Sequence, residues 1–199
     1  MVIVNAATTW GSTPQERERA YPCDAHLSDA QVVCWRAVDV DATPATLFRR
    51  LCQLRVAPYS YDWVDNLGRR SPRELTPGVG HLEVGQRFMT IFELIEFEDG
   101  RSITLAMRRA KSVFGEVVMT YAVEERGPNV SRLVAKLRWK LPGFGGRLLA
   151  RPAAVADLIM MRRQFLNLKR LAEADERGTI ASRARQPQRG SLLPPPPRP

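Results

Sequence analysis

The chain has 199 residues, 44% of them hydrophobic and 26% charged, which suits one globular domain with tails. Its net charge of +9 invites a nucleic-acid reading. However, five of the arginines lie in residues 177–199, where there is no acid, and the rest of the chain carries only +4. No helix-turn-helix, zinc-finger or ribonucleoprotein motif is present, so no nucleic-acid partner is expected.

The N-terminus, "MVIVNAATTWG", has no basic stretch followed by a long apolar run, and no signal peptide is expected. No run of 18 apolar residues occurs, so no membrane span is expected. The protein is read as cytoplasmic. The three cysteines, Cys23, Cys34 and Cys52, form no CxxC pair, and His26 and His81 are isolated. Free buried thiols are expected, with no metal and no cofactor.

Residues 1–30 mix turn formers with charges and read as an arm packed loosely on the domain. "QVVCWRAVDV", 31–40, is rich in β-branched and aromatic residues and predicts a strand. Thr43 is a good N-cap and Pro44 suits the first helical position. Leu47, Phe48, Leu51, Cys52 and Leu54 recur at helical spacing, which predicts a short helix over 44–54.

Residues 56–83 then read as a long irregular connection, of a kind usually functional or disordered. At its centre stands "APYSYDWVDNLGRRSP", 57–72, too polar for core and too aromatic for an ordinary loop. "SPRE", 71–74, has capping-box spacing and predicts a helical turn.

From Gly85 the period changes to two. "QRFMTIFELIEFEDG" predicts one strand ending at an Asp-Gly turn. Ile103, Leu105 and Met107 define the next. Val117, Met119, Tyr121 and Val123 define a third. In "SRLVAKLRWK", Leu133, Ala135, Leu137 and Trp139 alternate with Arg132, Lys136, Arg138 and Lys140. That predicts a strand with a buried face and a solvated basic face.

After "LPGFGG", Leu158, Met161, Phe165, Leu168 and Leu171 recur in steps of three and four, predicting a helix over about 152–175. Residues 176–199, rich in arginine and proline, read as a disordered tail with a polyproline II end. The domain is thus expected over 31–175.

Strands followed by a long helix indicate an α+β fold, in which a curved antiparallel sheet and one amphipathic helix bury each other's apolar faces. With this layout, the segments "APYSYDWVDNLGRRSPREL" (57–75) and "MMRRQFLNLKRLAE" (160–173) resemble uncharacterised bacterial members of the SRPBCC superfamily. That superfamily includes START lipid-transfer domains and polyketide cyclase/dehydrase-like proteins. The resemblance covers about residues 30–175. It implies a helix-grip fold, with the sheet wrapped around the C-terminal helix. It also implies a deep, mainly apolar cavity with residues 57–72 near its mouth.

Tyr59, Tyr61 and Trp63 alternate, so an extended chain would place them on one side. They would form an aromatic wall over a ligand, or anchor the loop by burial. Asp62, Asp65 and Asn66 neighbour Arg69, Arg70 and Arg73. They offer a general base and an arginine for an acidic ligand group, or else an internal Asp–Arg network that fixes the loop. His81 has the pKa for acid–base work, yet its context reads as surface. Met161, Gln164, Phe165 and Leu168 suit a ligand-gripping helix side or a core face. Gln164 is the better clue, because a polar group in a cavity needs a partner.

The expected function is binding of a small hydrophobic or amphipathic, lipid-like or polyketide-like ligand. Tyr59, Tyr61, Trp63, Arg69, Met161, Gln164, Phe165 and Leu168 would contact it. The alternative is a cyclase/dehydratase-type enzyme, with Asp62, Asp65, His81 or a tyrosine moving a proton. A third reading is an interaction module that works through the tail. Oligomeric state is not legible.

Overall fold

The structure is a computed structural model, which describes residues 6–61, 63, 68, 70–109, 111–143 and 146–185. Two short helices come first, α1 (Pro14–Glu18) and α2 (Cys23–His26). Strand β1 (Val32–Val40) and helix α3 (Pro44–Cys52) follow. Strands β2 (Arg87–Phe88), β3 (Phe92–Glu98) and β4 (Ser102–Met107) lead to a short helix, α4 (Lys111–Phe114). Long strands β5 (Glu116–Gly127) and β6 (Val130–Lys140) and the helix α5 (Gly146–Arg185) complete the order. The six strands form one antiparallel sheet in the order β1-β6-β5-β4-β3-β2. With α5 against one face, this is the α+β helix-grip arrangement.

Strand register sorts the side chains. Ala135 pairs with Arg36 on one side and Tyr121 on the other, and Tyr121 pairs with Ile103. Residues directly opposite in antiparallel strands share a face, so this row points at α5. Met119, Leu137 and Cys34 form the neighbouring row. Phe165 and Leu168 of α5 are fully buried against this face.

The opposite face is not solvated as the alternation suggested. Arg132 and Lys136 are buried, because the N-terminal arm lies over them. Arg132 donates to Glu16 at 2.6 Å, and Asp24 accepts from both Lys136 and Arg138. Lys140 reaches Asp29 at 2.5 Å. Between these pairs Tyr21, Cys23 and Leu27 pack on Ala37, Val118 and Val134. The arm is therefore tightly docked. Period two showed which side chains share a face, but not that the arm's acids would cover the basic one.

The arm also closes the sheet edge. The amides of Trp35 and Ala37 donate to the carbonyls of Thr8 and Trp10, so β1 presents no bare edge there. Gly11 follows at φ 74°, where a Cβ would stand 2.0 Å from the Ala37 carbonyl oxygen. Only glycine fits this approach.

Three further expectations are corrected. The stretch read as one strand over 86–98 is divided into β2 and β3 by a turn in which Met89 and Thr90 both have positive φ. The capping-box spacing at 71–74 forms no helix, because its carbonyls are held from outside. Tyr59 donates to Pro72, Arg50 to Arg73, and Gln53 to Glu74.

Finally, α5 starts before Pro152 and runs to Arg185, past the expected end at 175. The apolar stripe does stop near Ala172, but polar bonds carry the helix on. Arg50 pairs with both oxygens of Asp175 at 2.5 Å, and Glu176 accepts from Thr43. The segment 176–185 is thus helical, and 186–199 lies outside the described residues.

Candidate functional site

A cavity of about 270 Å³ lies between the sheet and α5. This is just under the usual range for small-molecule pockets, which begins at ~300 Å³. The α5 side of the wall is Asp157, Met160, Met161 and Gln164, at the three- and four-residue steps of one helix face. The sheet contributes Met107, Val117, Met119, Tyr121, Leu137 and Trp139. The β2–β3 turn adds Met89 and Ile91, β3 adds Phe92, and α4 adds Phe114. Pro58 and Ser60 complete the lining from the loop after α3.

Five of the chain's six methionines are in this wall. Methionine is unbranched and polarizable and adapts to irregular shapes. A wall of this kind accommodates an apolar body without fixing its outline.

The polar groups of the wall are few and mostly bonded within the protein. The Tyr121 hydroxyl donates to Gln164 Oε1 at 2.7 Å. Gln164 Nε2 donates to the Pro58 carbonyl at 2.7 Å and approaches Met89 Sδ at 3.2 Å. This answers the question of Gln164's partner: it ties the sheet, the loop and the β2–β3 turn to α5. Trp139 donates its indole N–H to the Phe114 carbonyl. Complete burial pushes the Tyr121 hydroxyl well above the ordinary phenol range.

Asp157 is the carboxylate of the wall among the described residues. Its Oδ2 accepts from Arg36 Nη2 at 2.5 Å. Arg36 is fully enclosed and also donates to the Trp35 and Ala154 carbonyls. Burial raises the Asp157 pKa, and the neighbouring guanidinium opposes that rise. Burial likewise pushes the Cys34 thiol up to about 12, with the Asp157 charge adding to it.

Of the residues singled out by sequence, Met161 and Gln164 line the cavity. Phe165 and Leu168 do not. They are core, with the Phe165 ring 6.1 Å from that of Tyr121. The alternating aromatics form no common wall. Tyr59 is buried and anchors the loop through its hydroxyl. Its φ of 55° breaks the extended geometry on which alternation relied. Tyr61 lies under the Arg163 guanidinium at 6.0 Å, and Trp63 is 78% exposed. Pro58 and Ser60, the interleaved positions, face the cavity instead.

His81 is exposed beside Glu83 and stands outside the cavity wall. Asp62, Asp65, Asn66 and Arg69 lie outside the described residues. Arg36 and Asp157 were missed. The available signals were an arginine of the same strand parity as Cys34 and Val38, and an acid one helical turn before Met161 on its stripe.

No group of three or more metal-ligating side chains occurs among the described residues. No helix among them is long and apolar enough to cross a membrane.

No protein-family model and no curated protein matches the sequence. Solved structures with a similar backbone include a hypothetical protein from Helicobacter pylori, at 14% identity and a TM-score of 0.49, over 77% of this chain and 95% of that one. A protein from Nitrosospira multiformis is similar at 12% identity and a TM-score of 0.45, over 73% and 99%. The di-domain ARO/CYC protein BexL of the BE-7585A biosynthetic pathway is similar at 12% identity and a TM-score of 0.46, over 71% of this chain and 46% of that one.

Proposed function

We propose that the protein binds one small hydrophobic or amphipathic molecule in the cavity between its sheet and α5, as an SRPBCC-type ligand-binding domain. The observation that carries this reading is the methionine-rich, largely apolar wall around an unfilled volume of about 270 Å³. Apolar interiors are normally close-packed, and the side chains lining an open pocket of this size lack packing partners on its side. A ligand supplies them.

Ala156 lies in the wall and is exposed, so it stands at the rim. Replacing it with tryptophan would obstruct the entrance without touching the core. N-phenyl-1-naphthylamine, a neutral dye that fluoresces in apolar surroundings, is the probe. The wild-type protein is expected to bind it saturably at one site, and Ala156→Trp to bind it at least about tenfold more weakly. Equal binding by both proteins would contradict the reading.

A second reading, proton-transfer chemistry of the cyclase/dehydratase kind, is favoured by one observation: Asp157 places a carboxylate in the cavity wall. The expected base is then Asp157 rather than His81, which is not among the cavity-lining residues.

A further inference from the structure

The polar atoms of the cavity are sorted by sign. The Tyr121 hydrogen is committed to Gln164, the Gln164 amide to Pro58 and Met89, and the Trp139 N–H to Phe114. Ser60 also has a partner. The Tyr121, Gln164 and Trp139 donors of the wall are therefore engaged. Acceptors are what remain.

The Tyr121 oxygen donates but accepts nothing from the described residues. Asp157 uses Oδ2 for Arg36, and no described residue holds Oδ1. Arg36 is fully buried, pairs with Asp157 and is not among the wall residues, so the polar atom of this pair that the wall presents is a carboxylate oxygen. A carboxylate or phosphate entering this space would find the Tyr121, Gln164 and Trp139 donors taken. The guanidinium nitrogen unpaired among the described residues, Arg36 Nε, belongs to a buried residue outside the wall. Such an anion would therefore lose its hydration with little compensation. A hydroxyl or ammonium group would find an oxygen at full or partial negative charge.

We infer that the cavity selects amphiphiles whose polar end is a hydrogen-bond donor, an alcohol or an amine, and discriminates against anionic ones, with Asp157 Oδ1 and the Tyr121 oxygen as the deciding acceptors. The inference rests on the ligand-binding reading above and specifies the polar half of the ligand. It also gives Asp157 a role other than stability, since a buried ion pair is often no more stabilising than an apolar replacement.

The test is displacement of bound N-phenyl-1-naphthylamine by 1-decanol, decylamine and decanoate, which share one chain and differ in the head group. For the wild-type protein, decanol and decylamine are expected to displace the dye at concentrations at least about tenfold below decanoate, the effect of one hydrogen bond to a charged group. Asp157→Asn offers the cavity an amide donor and removes the charge. It is expected to weaken decylamine and strengthen decanoate, closing most of that gap. Tyr121→Phe keeps the ring and removes the second acceptor. It is expected to weaken decanol more than it weakens the dye, and circular dichroism verifies that the variant is folded.

Decanoate displacing as well as decanol from the wild type would overturn the inference. So would an unchanged ranking in a folded Asp157→Asn. If the dye binds but all three compounds fail to displace it, donor selection is wrong while the cavity reading stands. If the dye itself does not bind, the cavity reading fails and the inference fails with it.

Discussion

Tyr59 shows how a single side chain can be identified correctly as important and misplaced. Its ring is buried, its hydroxyl donates to the Pro72 carbonyl at 2.8 Å, and its own carbonyl accepts from Asn167 of α5 at 2.8 Å. It is a clasp that holds Pro58 and Ser60 against the cavity. Tyr59→Phe is expected to lower stability by about 1 kcal/mol, the net worth of one hydrogen bond, with an unchanged denaturant slope. No loss in denaturant unfolding would mean that the clasp is carried by ring packing alone. Gln164 was legible as a cavity residue because an amide among methionines and leucines requires partners. Asp157 was equally legible by position, an acid inside the apolar run 153–161 and one helical turn before Met161, but nothing local in the sequence marks its partner. Only the strand register, which brings Arg36 to α5, supplies it.

The elements were legible where one periodicity governs. β4, β5 and β6 fall where alternation placed them, β1 where its β-branched and aromatic residues did, and the apolar stripe located the buried part of α5. Periodicity failed where polar bonds replace apolar packing. The last turns of α5 are held by Asp175 and Glu176, and the arm is held by Glu16 and Asp24. Burial alone would raise the pKa of Glu16, but the Arg132 hydrogen bond and charge hold it below its ordinary 4.5. Asp24 is likewise held below 3.8 by Lys136 and Arg138, against the effect of burial. Because both folded values are lowered, their contribution to arm docking is complete above the ordinary carboxylate range. It is lost as pH falls through the lower folded values. The account predicts that hydrogen exchange over residues 14–28 is slow at pH 7. On acidification below about pH 4, it is expected to rise ahead of exchange in β5 and β6. Simultaneous loss of protection in arm and sheet would show that the arm is not a separately releasable unit.

For the whole molecule, sheet, arm and α5 form three layers. The helix-grip class was legible because an apolar strand face and an apolar helix stripe each require a partner. The cavity's exact wall was not, since a void inside such a pair leaves no signature that distinguishes it from core. What does separate them is the methionine distribution, with five of six collected on one surface drawn from the β2–β3 turn, β4, β5 and α5. That collection also supplies the most direct test of ligand binding. With methionine methyl groups labelled by carbon-13, titration with 1-decanol is followed by two-dimensional NMR. The account predicts that the methyl signals of Met89, Met107, Met119, Met160 and Met161 shift together and saturate at one equivalent. Shifts that never saturate, or that leave these five unmoved, would contradict the claim that this cavity is a binding site.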